Sequence, residues 1–372
     1  LVHTDGDLMK FTGAGDAISW WKKDEDGNLW KAQWSGLGLV NGEQGGLLYP
    51  VGRIKTIGGM DPEEAKKGTG PLSVSGFLSK LTHEDTRIEQ WHKKAVFDEN
   101  GDKFSVHYPK TVSGTTQMKP GVKFKVKTGW QKLNFVSLML ALFFGTAALP
   151  HILIRYYTVP SPACARKSTI VAIAAIGFFY ILTLFMGLGA GINGTVNPVD
   201  NNMSAPLLAL SFGNVLFACI SAIAFATVLG TVAGLIVAAS GAVAHDLMDR
   251  YAGMNLTETQ KVRAGKVAAF VVGIIAIILG IVFRGVNVSF LVGWAFAVAA
   301  SANLPAILML LFWPKTTAKG ITASIFVGIV AALGIILTGP AMFAGPYGKT
   351  AADALHPLGQ PGIISIPLSF LT

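Results

Sequence analysis

Six long apolar segments between residues 133 and 338 constrain the fold of this chain more than any other feature. Their lengths match the roughly 20 residues that a helix needs to cross the hydrocarbon core of a bilayer. In lipid, every backbone amide and carbonyl must be paired within the protein, which helices achieve without a partner strand. The segments therefore predict an all-α membrane protein, and a further span begins at 363–372. The six are 133–154, 168–191, 213–243, 264–283, 287–312 and 320–337.

The charge composition agrees with a membrane protein. Only 14% of the 372 residues are charged, whereas soluble domains have about 25%. We interpret the net charge of +9 as basic cytoplasmic loops, so no nucleic-acid partner is expected. The chain starts at Leu1 without the pattern of a signal peptide. Both of its ends resemble cut ends, so we expect a fragment of a longer protein.

The basic residues of the short loops set the expected orientation. They collect in alternate loops, which the positive-inside rule assigns to the cytoplasm. The intervening loops contain only Arg284, so these loops, residues 1–130 and the segment 339–362 are expected outside. The sequence thus predicts a multi-pass protein of the bacterial inner membrane. The cytoplasmic basic residues are Arg155, Arg166, Lys167, Arg250, Lys261, Arg263, Lys266, Lys315 and Lys319.

Residues 1–130 are polar and differ from the rest of the chain. Two turn signals, at 26–28 (DGN) and 100–101 (NG), lie between apolar pairs and predict β-hairpins. We predict a short helix over 79–94. The expected domains are an extracytoplasmic insert (1–130), the transmembrane bundle (131–338), and an outside loop that leads to a further span (339–372).

The span within 222–248 has a face of hydroxyls and small residues. Thr227 and Thr231 are four residues apart and share a helix face, and Gly230 and Gly234 lie close to it. Hydroxyl oxygens can bind a small cation, whereas small residues also serve close helix packing. Threonine hydroxyls commonly bond back to the preceding turn. On the residues alone, ion binding and packing both remain open.

Polar residues accompany prolines in two other spans. His151 follows Pro150 near the inner end of the first span, and a proline frees a backbone carbonyl in a helix. A free carbonyl and an imidazole suit a gate or a ligand site, and a position at the membrane interface is the alternative. Ser301 and Asn303 precede Pro305 in the fifth span. They either line a cavity or bond across helices.

Several stretches resemble the sodium:solute symporters, in the same order and with similar spacing. The similarity covers about residues 133–338, and the closest branch is the cation/acetate (monocarboxylate) symporters. Residues 1–130 resemble the long outside insertion of a large-subunit-type variant, which is thought to work with a small membrane subunit. The matching stretches are 149–155 (LPHILIR), 165–168 (ARKS), 224–234 (AFATVLGTVAG), 244–248 (AHDLM), 292–307 (VGWAFAVAASANLPAI) and 312–315 (FWPK).

The resemblance implies a leucine-transporter-like fold of two inverted repeats, with substrate and ion near the midplane. This chain would contain the second repeat. Counting back from Asp246, the sodium-binding hydroxyl positions of the family fall on Gly230 and Thr231, and a backbone-carbonyl ligand falls on Thr227. Gly230 stands where serine is commoner, so one side-chain oxygen is lost. His151 falls where sugar-transporting relatives have a gating aromatic residue.

These observations predict a sodium-coupled symporter that imports a small organic anion, acetate or a related monocarboxylate, and not an enzyme. The alternatives are a symporter for proline, pantothenate or a sugar, and a membrane-anchored ligand sensor. The expected partners are the anion, the sodium ion, the lipid bilayer and, as an option, a small membrane subunit. The expected ion ligands are Thr227, Gly230 and Thr231, and the expected gate or pathway residues are Pro150, His151, Ser301 and Asn303.

Overall fold

The structure, a computed structural model, describes residues 3–13, 17–23, 27–48, 54–98, 100–118, 126, 128–283, 286 and 288–372. The chain divides into two compact units. One contains Leu1–Pro120 and Ala174–Ile223, and the other contains Gly121–Ile173 and Ala224–Thr372. The domain boundaries expected at residues 130 and 338 stay a prediction.

An antiparallel sheet lies in the first unit. Its strand order is β1-β2-β3-β4-β9-β8-β7, and β5 and β6 extend from β4. The hairpins predicted around 26–28 and 100–101 are confirmed as β3–β4 and β8–β9, although residues 24–26 and 99 lie outside the described residues. The strands are β1 His3–Asp5, β2 Leu8–Thr12, β3 Ile18–Lys23, β4 Leu29–Gly36, β5 Leu39–Val40, β6 Glu43–Gln44, β7 Ile54–Thr56, β8 Arg87–Phe97 and β9 Lys103–Ser113.

The helix predicted over 79–94 is wrong beyond residue 82. A helix, α2, does span Val74–Thr82, with the Ser73 hydroxyl accepting a bond from the Gly76 amide at its start. The following residues form β8, which pairs with β9 over its whole length. Pairing with a long neighbouring strand therefore outweighs the local helical tendency of this segment.

Aromatic side chains form the core of the sheet. Trp20, Trp34 and Phe104 are buried together, with ring centroids 5.5 to 5.7 Å apart around Phe104. Lys10 is buried beside them and pairs with Asp98 at 2.7 Å. The hydrogen bond from Lys10 lowers the pKa of Asp98. A buried charge requires such a partner, since desolvation otherwise disfavours it.

Six helices among the described residues are long and apolar enough to cross a membrane, and each overlaps one predicted span. The first is interrupted, so α3 Gly129–Ala148 is followed by the short α4 Pro150–Leu153. The other helices are α1 Pro62–Lys67, α5 Pro162–Ile192, α6 Ser204–Ser211, α7 Asn214–Gly241, α8 Glu258–Val282, α9 Val288–Phe312, α10 Ala318–Leu337, α11 Pro340–Ala344 and α12 Gly362–Leu371.

Four helices of the second unit, α3, α9, α10 and α12, pack closely, and we call them the packed helix group. Ala148, Ala300, Leu304 and Ile366 are buried together within it. The long helices α5 and α7 differ from this group. No residue is buried in the most apolar 18-residue stretch of either helix, whereas 39% of the corresponding stretch of α9 is buried. The small residues of α9 allow close approach of its neighbours, as is typical of helices in membranes.

The end of α7 changes its helical geometry. Ala242–Tyr251 continues the helix as a π-helix, a form that is rare and is frequently found at functional sites. The beginning of α8 packs against this segment. Lys261 of α8 pairs with Asp249 at 2.9 Å, and Asp249 also accepts a bond from the Leu256 amide at 2.8 Å. These contacts fix the loop between the two helices.

Candidate functional site

The first span is broken at Leu149, one residue before Pro150. Leu149 has extended backbone angles, with φ −72° and ψ 119°. The amide of Ile152, which would normally bond to the Ala148 carbonyl, bonds to Leu149 instead, at 3.0 Å. The side-chain amide of Asn303 in α9 donates to the Ala148 carbonyl at 3.0 Å. A side chain of α9 therefore takes the place of the missing helical donor.

Pro150 and His151 lie directly at this break. Pro150 is exposed and occupies the first turn of α4, where its missing N–H costs no helical bond. His151 is half-buried on the next position. The helix is thus interrupted where the proline predicts it, and the gating role of these two residues stays a prediction.

Ser301 lies inside the packed helix group. It is fully buried, donates to the Ala297 carbonyl at 2.7 Å, and has its oxygen 2.6 Å from that of Ser365 in α12. Of the two interpretations left open by the sequence, this geometry is that of a bond across helices, as it is for Asn303. A role of Ser301 and Asn303 in the substrate pathway stays a prediction.

Other serines of the packed helix group were not singled out from the sequence. The Ser137 hydroxyl of α3 donates to the Gln360 carbonyl at 2.8 Å and accepts from the Ile363 amide at 3.0 Å. Ser324 of α10 and Ser369 of α12 each donate to the other's backbone carbonyl, at 2.7 and 2.9 Å. Hydroxyls within apolar spans are the signal that could have found them.

Thr227, Gly230 and Thr231 lie together on the exposed surface of α7. The Thr231 hydroxyl donates to the Thr227 carbonyl at 3.0 Å, so two oxygens converge on one face of the helix. A Cβ added at Gly230 would meet nothing within 4 Å. Oxygen atoms of this kind suit a hard cation. The Thr231 bond is the bond back to the preceding turn that the sequence left open beside ion binding. A role of this face in sodium binding stays a prediction, and Gly230 adds no side-chain oxygen to it.

The comparison with known protein families decides the class of this protein. The family model of the sodium:solute symporters matches residues 101–328, a range that contains the helix break, α7 and α9. The chain belongs to the sodium:solute symporter family. It is accordingly a multi-pass protein of the cell membrane, as predicted, with the leucine-transporter-like architecture of that family. The family and its relatives are transporters rather than enzymes.

Two curated proteins are similar in sequence to this chain. A protein of Corynebacterium glutamicum named monocarboxylic acid transporter is 45% identical over 266 residues, which are 69% of this chain and 48% of that protein. A protein of Bacillus subtilis named uncharacterized symporter YwcA is 44% identical over 269 residues, 70% of this chain and 52% of its own. This symporter-family chain thus spans about half the length of the curated relatives that it matches. No solved structure matches the chain.

Proposed function

We propose that this chain belongs to a sodium-coupled symporter that imports a small monocarboxylate such as acetate. The observation that supports this substrate class is the 45% identity to the monocarboxylic acid transporter of Corynebacterium glutamicum. That similarity favours a monocarboxylate over proline, pantothenate or a sugar, and the family match supports symport with sodium.

We propose that sodium binds at the face of α7 formed by Thr227, Gly230 and Thr231. The Thr231 hydroxyl oxygen would bind the ion directly, and the Thr227 carbonyl, 3.0 Å away, would be a second ligand. The remaining oxygens would come from helices in the part of the relatives that this chain does not span. A second helix on this face would also cover the exposed surface of α7.

The broken first span is the proposed site of gating. Pro150 and His151 lie at the break, and Asn303 holds its free carbonyl against α9. Movement of α4 would alter this bond and thereby open or close the substrate pathway beside Ser301 and Asn303. Sodium drives such a movement only if it binds the two states with different affinities. Its entry then supplies about 2.3 kcal/mol per charge for each 100 mV of membrane potential.

Uptake of radiolabelled acetate by the full-length protein in proteoliposomes tests this function. An inward sodium gradient should drive accumulation above the level reached with an equal potassium gradient. Unlabelled propionate should compete with the label, whereas proline, pantothenate and glucose should not. Accumulation that is indifferent to sodium, or competition by proline or a sugar instead of propionate, would contradict the proposal. Acetate binding without any uptake would instead favour a sensor.

A further inference from the structure

The first compact unit has a cavity of about 490 Å³ between its polar part and the end of α5. Ile54 of β7, Phe77 and Leu81 of α2, and Ile192 of α5 form apolar walls. The same region has a buried core in which Leu81 packs with Leu188 of α5. The cavity is therefore bounded on one side by the last turns of an apolar helix.

The length of α5 places this cavity near a membrane surface. The first turns of the helix contain Arg166 and Lys167, after which 168–192 contains no charged residue. Twenty residues at 1.5 Å each span about 30 Å, the thickness of the hydrocarbon core. Twenty residues counted from Thr169 end at Leu188. Ile192 and the following residue then lie at the level of the lipid headgroups, on the side opposite the basic residues.

Among the described residues, two lysines and no acidic residue line the cavity. Lys55 pairs with Glu89 at 2.9 Å, which neutralises its charge. Lys80 donates to the Gly58 carbonyl at 3.4 Å, and no carboxylate among the described residues forms an ion pair with it. Lys80 thus provides a positive charge at a cavity whose walls are partly apolar and partly formed by neutral polar residues such as Thr69 and Asn193. This combination is complementary to an anionic headgroup attached to an acyl chain.

We propose that this cavity binds an anionic phospholipid, with its phosphate at Lys80 and the first part of an acyl chain along the walls formed by Phe77 and Ile192. A two-carbon carboxylate would fill only a small fraction of the cavity, whose volume is in the range that holds ligands of drug size. The lipid would link residues of the sheet-containing unit to the membrane surface beside α5. This binding does not depend on the proposed transport activity.

Native mass spectrometry of the full-length protein in detergent, titrated with phosphatidylglycerol, tests the proposal. The comparison lipid is phosphatidylcholine with the same acyl chains. The protein should retain phosphatidylglycerol in preference to phosphatidylcholine. Lys80→Glu should weaken the affinity for phosphatidylglycerol at least about fivefold, since each basic group near an anionic lipid contributes about that factor. Lys31→Glu, an exposed lysine of β4 with the same change of charge, should leave the affinity unchanged.

Two further arms distinguish the lipid from other ligands. Lys80→Gln removes the charge with little change of size and without reversing it. A weakened affinity in that variant therefore cannot be attributed to misfolding caused by charge reversal. Soluble glycerol phosphate should fail to displace the lipid, because it lacks the acyl chain. Equal retention of the two lipids, equal affinity in Lys80→Gln and the unaltered protein, or displacement by glycerol phosphate would each overturn the proposal.

Discussion

In the packed helix group, polar side chains form hydrogen bonds from one helix to another. In α7, by contrast, the hydroxyl of Thr231 bonds to a carbonyl of the same helix. Asn303 of α9 donates to Ala148 of α3, and Ser301 lies 2.6 Å from the Ser365 oxygen in α12. Thr231 donates to Thr227 on a surface that the described residues leave exposed. The comparison indicates that polar groups of the first region join different helices, whereas the Thr231 hydroxyl joins two turns of one helix.

The glycines of the two regions differ in the same way. A Cβ added at Gly328 of α10 would overlap the Ser301 carbonyl of α9, so this glycine permits two helices to touch. A Cβ added at Gly230 of α7 would meet nothing within 4 Å. Close packing thus limits the side chain at one glycine and not at the other.

Gly328→Leu has the largest expected effect. The side chain has no space between α9 and α10, so we expect loss of most folded protein, or a fall of the melting temperature by several degrees, since overpacking costs about 1–3 kcal/mol or more. The matched variants are Gly328→Ala and Gly230→Ala, which each add one carbon. Gly328→Ala should still lower the melting temperature, whereas Gly230→Ala should change it little. Fluorescence-monitored unfolding in detergent measures all of them. Equal effects of the two alanine substitutions would remove the distinction between the regions.

Asn303→Ala should have the next largest effect. It leaves the Ala148 carbonyl without its donor at the helix break, which should lower the free energy of unfolding by about 1–2 kcal/mol. The control is Asn202→Ala, since Asn202 is exposed and outside the packed helix group. Thermal unfolding of the two variants in the same detergent provides the comparison. An unchanged melting temperature for Asn303→Ala would show that the bond does not hold the break.

Ser324→Ala sharpens the comparison within a single helix. It removes the hydroxyl that donates to the Ser369 carbonyl, while the backbone carbonyl of residue 324 still accepts from the Ser369 hydroxyl. The substitution should cost about 0.6 kcal/mol, the average for such bonds in membranes. Thr322→Ala, on the exposed face of the same helix, removes only a bond back to Ala318 and should cost less. Chemical unfolding measures both values. A larger loss for Thr322→Ala would mean that the cross-helix serine bonds are not stabilising.

The sequence was sufficient to predict the spans, the hairpins and the helix break, because each depends on local patterns. The length of an apolar segment defines a span, and Asn-Gly favours a tight turn. Pro150 has no backbone N–H to donate, which interrupts the helix. The partner of the Ala148 carbonyl could not be predicted, since Asn303 is 155 residues away and only packing brings it near. Residues 87–94 were predicted as helix for the same reason, because pairing with β9 determines the strand that they form.

Thr231→Ala is expected to have the smallest effect on stability and to test the account most directly. The measurement is the sodium concentration for half-maximal acetate uptake by the full-length protein in proteoliposomes. We expect Thr231→Ala to raise it several-fold with an unchanged melting temperature, and Thr231→Ser, which retains the oxygen, to leave it close to the original value. An unchanged sodium dependence in Thr231→Ala would contradict the assignment of the ion to this face of α7.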